Sequence, residues 1–295
     1  MLYRIRHITR YQYVSPVSLA YNSACLLPRN TEYQTCLDHH LSISPKASVL
    51  AKRKDYFGNN TYNFCLEESH RELKVDIQST VRTADVRLID MDLDIGNTWE
   101  ESLRLLHEAR DETTLRAREF ALDSSVIRAN SELADYARPS FTQGRPLLSA
   151  VRDLTHRIYT DFAYDPGFTT VSTPLADVLK HRRGVCQDFA HLAIGCLRSL
   201  GFACRYISGY LETLPPPGQE KLVGSDASHA WFSVYSPQEG WFEFDPTNDN
   251  MPSQQHITTA WGRDYNDVAP LKGVIFEGGG AQTLSVSVDV QRLES

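Results

Sequence analysis

The chain has 295 residues, a formal charge of −7 and no block of Lys or Arg. That length favours two domains with ample buried core, and that charge disfavours a nucleic-acid or anionic-membrane partner. No run approaches the ~18 uncharged apolar residues of a membrane span, and Met1 to His7 alternates polar and apolar residues instead of forming a secretory signal. The expected location is therefore cytoplasmic, where the six cysteines (25, 36, 65, 186, 196 and 204) would be reduced thiols.

Residues 1–85 read as short strands of a half-buried β domain with sandwich-like packing. Tyr3, Ile5, His7, Thr9 and Tyr11 alternate with Arg4, Arg6 and Arg10; Leu37, His39, Leu41 and Ile43 alternate again; Leu73, Val75, Ile77, Ser79 and Val81 alternate with Lys74, Asp76, Gln78 and Thr80. Asp55 to Asn60, with Gly58, supplies turn chemistry between two of these strands. The period then becomes helical. Trp99, Leu103 and Leu106 share one stripe, Leu133 and Tyr136 another, and Leu147, Val151, Leu154 and Ile158 a third. Residues 86–145 form a helical connecting segment, and 146–295 a core that ends in a β hairpin. No repeat or low-complexity tract is present.

Thr173-Pro174 reads as an N-cap with Pro at the first helical position, and Gly184 as the stop after Leu175 to Arg183. A new helix begins at Cys186. Phe189, Leu192, Ala193, Cys196, Leu197 and Leu200 continue its buried stripe, and Gly201 ends it. The thiol thus stands at a helix start, where unpaired N–H groups and the helix dipole favour a thiolate. Its own N–H is a natural donor to an oxyanion forming beside it.

Downstream, Ser228 to Tyr235 and Trp241 to Asp245 flank a turn at residues 236–240. In an antiparallel hairpin with an even index sum, His229, Trp231, Trp241, Glu243 and Asp245 share one face, and Ala230, Phe232, Val234, Phe242 and Phe244 form a continuous apolar face behind them. His229 and Asp245 then lie opposite or diagonal, about 5–8 Å apart at Cβ. An ordered Cys, His, Asp series is the constellation of thiol nucleophilic catalysis.

Arg183-Gly184-Val185-Cys186-Gln187-Asp188-Phe189-Ala190, Cys204 to Tyr210, His229-Ala230-Trp231 and Asp245-Pro246-Thr247 together resemble the bacterial transglutaminase-like proteins of the papain-like thiol superfamily. The likeness extends to Asp55-x-Phe57-Gly58-Asn59 and to Gly262 through Val268, so it covers nearly the whole chain. It implies an α+β fold in which an N-terminal β domain precedes a core with the nucleophile at a helix N-terminus, packed on an antiparallel sheet. It also implies Cys186 as nucleophile, His229 as base and Asp245 as orienting carboxylate. Animal transglutaminases place a Trp oxyanion donor about 35 residues before the nucleophile, where this chain has Val151; Tyr164 is the nearest substitute.

Other residues have plainer readings. Cys196 and Cys204 fit a packed core, and Asp188 fits the first turn of its helix. Trp231 and Trp241, with Gln187 beside the nucleophile, are candidates for the cleft, although Trp at such positions more often packs in a core. Arg205 either pairs with a buried carboxylate or approaches the cleft. His39 and His40, adjacent on a strand, point to opposite faces, so neither they nor His7 suggest a metal; no Asp-x-Asp-x-Asp-Gly calcium loop occurs, and no cofactor is expected. The expected activity is acyl transfer on peptide or protein amides through a thioester, with hydrolysis favoured. Protein-glutamine transamidation, or a non-catalytic module that binds peptide in the same cleft, are the alternatives. Residues 212–228, with three prolines, are expected to shape access to the cleft.

Overall fold

The structure, a computed structural model, describes residues 1–84, 92–170, 173–213 and 228–293. The expected boundary near 86, and most of the segment expected to shape cleft access, lie outside the described residues.

The alternations form β1 (Leu2–Ala24), β2 (Gln34–Ser44), β3 (Val49–Lys54), β4 (Asn60–Leu66) and β5 (His70–Thr83). In β1, Tyr3, Ile5, His7 and Thr9 are buried while Arg4, Arg6 and Arg10 are exposed, the two-residue period of a strand with one wet face. Leu37 departs from its expected place. A β-bulge between Cys36 and Asp38 turns Cys36 inward and leaves Leu37 45% exposed. Gly58, at φ +78°, closes the turn after Asp55, whose carboxylate accepts the Phe57 and Asn59 amides.

Helices α1 (Trp99–Glu108), α2 (Glu112–Arg118), α3 (Ser131–Ala137) and α4 (Leu147–Asp161) follow. Thr98, Asp111 and Asn130 cap the first three, each accepting from the amide three residues on. The core then runs through β6 (Ala163–Tyr164), α5 (Leu175–His181), β7 (Arg183–Gly184), α6 (Cys186–Ser199), β8 (Cys204–Leu211), β9 (Ser228–Ser236), β10 (Gly240–Phe244), β11 (His256–Gly262) and α7 (Tyr265–Val268). Helix α5 starts one residue later than expected and stops sooner. Pro174 is its N-cap, and Arg182 ends it in the left-handed region at φ 55°.

The core, expected to end in a β hairpin, is followed instead by one strand, β12 (Leu271–Leu293), that belongs to the first sheet. It pairs antiparallel with β1 from Leu2↔Leu293 to Ala24↔Leu271. Alternation alone cannot reveal this, because a strand's own pattern does not name its partner. Among the described residues the first sheet has the order β2-β5-β1-β4-β3, with β12 on β1. The first half of β1 pairs with β5 and its second half with β4. Tyr13, Val17, Phe64, Leu66, Leu73, Val75 and Ile77, drawn from both halves, share one apolar cluster, so the packing is sandwich-like although the hydrogen bonding is continuous.

The second sheet is antiparallel, in the order β10-β9-β8-β11. Helix α6 lies on its apolar face, where Phe189, Leu192, Ala193 and Leu197 join Tyr206, Ala230, Phe232, Val234, Phe242 and Phe244. Burying each Leu or Phe contributes about 1.5–3 kcal/mol, which outweighs helix propensity and fixes the helix by its packing.

The two sheets are joined by a buried apolar interface of Tyr3, Ile5, Val81, Tyr210, Ile257, Val288 and Val290. His7 bonds Tyr210 and Thr9 there, and burial pulls its pKa down to about 4. Tyr3 and Arg292 both bond Glu212. The outer edge of β11 is closed by two side-chain amides of the first domain. Gln34 donates to the Thr258 carbonyl at 2.8 Å and accepts its N–H at 2.9 Å, and Asn59 does the same for Trp261 at 2.8 and 3.0 Å. Each amide imitates one residue of a neighbouring strand and blunts an exposed edge. Asn59 is in turn held by Asp55, which gives the Asp55-x-Phe57-Gly58-Asn59 motif a structural task.

Candidate active site

The approach to Cys186 is set by a two-residue parallel ladder, in which Ala163 pairs with Arg183 and Tyr164 with Gly184. Asp188 then ties the helix start: its Oδ2 accepts the Val185 amide at 2.8 Å and the Thr169 hydroxyl at 2.6 Å. That is the first-turn role expected of it. Gly184 is required by close approach, since a Cβ there would stand 2.8 Å from both Cβ and Oδ2 of Asp188. Because Asp188 is fixed by two bonds, Gly184→Ala is expected to destabilise the fold by about 1–3 kcal/mol, read as a lower midpoint in urea unfolding; an unchanged midpoint would refute this account.

The β9–β10 pairing has the even register, with Trp241↔Tyr235 and Phe244↔Phe232. His229 therefore sits diagonal to Asp245, and its Nε2 lies 2.7 Å from Asp245 Oδ2. Cys186, at the start of α6, lies near enough to act on the same imidazole. Burial opposes the imidazolium, but bonding to Asp245 and Cys186 outweighs it and raises the His229 pKa from 6.5 to about 10. Asp245 moves the other way. Burial favours its neutral form, yet the bonds from His229 and His256 hold it well below the usual carboxylate range.

Asp245 itself is fully buried and closely held. Its Oδ1 accepts the Thr247 and Asn248 amides at 2.9 and 3.3 Å. Its Oδ2 accepts from His229, from the Asn248 side chain at 2.7 Å and from His256 Nε2 at 3.1 Å. The turn that carries Asn248 is anchored by Arg152 and His156 of α4, which bond Asp249. His256 and Asn248 escaped sequence reasoning. Asn248 lies three residues past Asp245, the reach of an Asx turn, which is a readable signal; His256 opens a strand and has none.

Ligand atoms of His229, Asp245 and His256 all lie within 4.8 Å of one another, a spacing that could hold a metal ion. Here Asp245 Oδ2 lies 2.7 and 3.1 Å from the Nε2 atoms of the two imidazoles, so the cluster is a hydrogen-bonded one.

The remaining candidates are placed as follows. Tyr164, 56% exposed, stands on the ladder beside Gly184 with its ring 6.3 Å from Phe189. Partial burial, then the nearby Cys186 and Asp188 charges, push its hydroxyl above 10, so it stays a donor. Gln187 is half-buried next to Cys186. Trp231 is wholly buried: its indole N–H donates to Glu243 at 2.6 Å and its ring lies 5.9 Å from that of His229, a support behind the imidazole and not an open wall. Trp241 is engaged elsewhere, 3.7 Å from the Arg205 guanidinium. Arg205 follows the first expected course in part, since the buried Glu243 carboxylate acts on its charge. It lies among Trp241, Trp261 and Phe120 with its Nε unbonded, and burial, aided by Arg29, draws its pKa down to about 9. Cys196 and Cys204 are core thiols, wholly buried.

Two larger grooves among the described residues, about 540 Å³ over Tyr21, Val49 and Val274 and about 590 Å³ beside Leu105, Thr113 and Gly240, share no residue with this cluster. The first holds Cys65, whose Sγ lies 3.8 Å from Glu67 Oε1, but neither groove is lined by a histidine, so the Cys, His, Asp chemistry points to Cys186. No helix among the described residues is long and apolar enough to cross a membrane.

The sequence profile of the bacterial transglutaminase-like N-terminal region matches residues 3–82, and that of the transglutaminase-like superfamily matches residues 134–246. An uncharacterized protein of Mycobacterium tuberculosis is 42% identical over 99% of this chain and 93% of its own length. One of Mycobacterium leprae is 34% identical over 98% of both. The protein-glutamine gamma-glutamyltransferase of Pseudomonas aeruginosa is 28% identical over 62% of this chain and 28% of its own. Among solved structures, a proposed cysteine protease of Cytophaga hutchinsonii aligns with a TM-score of 0.74 and 24% identity, covering 100% of this chain and 91% of that one, which shows the shared fold.

Proposed function

Because the chain belongs to the transglutaminase-like superfamily, with a bacterial transglutaminase-like region ahead of its core, we propose that it is a cysteine enzyme that transfers acyl groups from peptide or protein amides. The observation that carries this is the 2.7 Å bond from His229 to the buried Asp245, with Cys186 at a helix start close enough to help raise the His229 pKa. The Cys186 thiolate attacks the amide carbonyl while His229 holds the proton as imidazolium. The Cys186 N–H, at the first helical position with no i−4 carbonyl to reach, and the Tyr164 hydroxyl receive the oxyanion. The C–N bond then breaks, His229 gives its proton to the departing amine, and a thioester remains. His229 next takes a proton from water, the new C–O bond forms, and the thiolate leaves. Asp245 holds the ring and its charge through both halves. The six thiols, free among the described residues, suit a cytoplasmic setting.

Hydrolysis is the favoured outcome; an amine in place of water gives transamidation, the activity named for the Pseudomonas relative. Mass spectrometry after incubation with a peptide library, with and without a primary amine, tests both. A mass increment on the peptide containing Cys186 supports the thioester. Free acid alone then indicates a peptidase or amidase, and an amine adduct a transamidase. Peptide bound with no covalent mass and no product would favour a binding module instead.

A further inference from the structure

We propose that His256 is a positioning residue for the acyl transfer above, holding Asp245 so that one oxygen serves two imidazoles. The inference rests on that reading of Cys186 and His229. His256 Nε2 lies 3.1 Å from Asp245 Oδ2, the same oxygen that His229 Nε2 meets at 2.7 Å. Its own tautomer is set by the backbone: Nδ1 accepts the Ser253 amide at 3.3 Å, while the His256 amide returns a bond to the Ser253 carbonyl at 3.0 Å. With Nδ1 an acceptor, the ring proton must sit on Nε2 and point at Asp245. The ring cannot turn away, because it is 8% exposed and packs edge-on against Trp231 at 5.2 Å. Burial also works against a second proton on this ring, so it remains a neutral donor.

The chemical consequence concerns the proton that His229 carries between thiol and leaving amine. A carboxylate free to swing, or free to accept that proton, would weaken the imidazolium before it could protonate the amine. His256, added to the Asn248 side chain as a donor on Oδ2, further lowers that oxygen's affinity for the His229 proton and helps fix the carboxylate plane. No atom of His256 needs to touch substrate, so its loss falls on the chemical step and not on substrate binding.

The test compares His256→Ala, His256→Leu and His256→Gln in the full chain; the Gln amide nitrogen can replace Nε2 as donor. His256→Ala and His256→Leu are expected to lower kcat by about 10- to 100-fold with KM changed less than about twofold, and His256→Gln to recover most of the loss. Equal kcat in wild type and His256→Leu, or a loss equally deep in His256→Gln, overturns the proposal. A readout that needs no substrate separates this from failure of the acyl-transfer reading: proton–nitrogen NMR of the histidine side chains. The downfield Nε2–H signal of His229 is expected to broaden in His256→Leu and return in His256→Gln. A signal indifferent to both overturns the positioning role even if no turnover is ever found, and broadening with recovery supports it even then.

Discussion

Replacing Cys186 by alanine is expected to lower kcat on a peptide amide by about 10⁴-fold or more, and His229→Ala to match it, because the pair acts as one unit. Stability should hardly change. Cys186 is only partly buried at the first helical position, and the stripe that anchors α6 begins a turn later with Phe189, Leu192 and Ala193. The melting temperature of Cys186→Ala is therefore expected within about 2 °C of wild type. Iodoacetamide at pH 6 gives an independent check, in which Cys186 should be labelled at least about tenfold faster than Cys196 or Cys204. Burial pushes both of those thiols far up, Cys204 to about 12, and neither has exposed surface. Equal labelling, or turnover retained without the sulfur, would remove the nucleophile from the account.

The second large effect belongs to Asp245, and it divides between stability and rate. In Asp245→Ala the two buried imidazoles, the Asn248 side chain and the Thr247 and Asn248 amides lose a common acceptor. A cost of about 3–5 kcal/mol is expected in urea unfolding, the range for removing one partner of a buried charge pair. Asp245→Asn keeps the shape and separates the two consequences. Its kcat should fall by about 10²- to 10⁴-fold, since the amide can present an N–H where His229 needs an acceptor. The pH dependence follows from the direction of each shift. The raised His229 pKa stabilises the fold fully below the ordinary 6.5, and that gain is lost as pH rises through about 10. The depressed Asp245 pKa stabilises it above the ordinary 3.8, and that gain is lost as pH falls through its lower folded value. Both contributions are whole between 3.8 and 6.5. The stability advantage of wild type over Asp245→Asn should be greatest in that window and shrink towards pH 10; a difference that is flat with pH would contradict the ion pair.

What could be read beforehand was whatever local pattern encodes. The helix beginning at Cys186, the even register that brings His229 diagonal to Asp245, and the alternating strands of the first domain all follow from periods of 3.6 and 2. What escaped depends on partners distant in sequence. His256 owes its place to β11 pairing with β8, and nothing about a lone histidine opening a strand distinguishes it. The motif around Asn59 was visible as a resemblance, yet its task on β11 lies 202 residues away. Charge suggests a carboxylate or the cleft as the partner of Arg205; Glu243 does act on it, but three aromatic faces, from segments far apart in sequence, surround it. Helix α5 ended early because Arg182 takes a left-handed backbone for which glycine is the usual signal.

The pairing of β1 with β12 has a consequence for how the molecule is made. Everything from α1 to α7 is spliced between two ends of one sheet, so synthesis delivers β1 some 270 residues before its long neighbour. On the ribosome, the first domain must wait with β1 unpaired on that side until residue 293 has emerged, and such distant closure is slow. Tyr3 and Ile5, which meet Val288 and Val290 only then, complete the interface that reaches Tyr210 and Ile257. Cys186 is therefore translated before the strand that completes the interface behind β8 and β11.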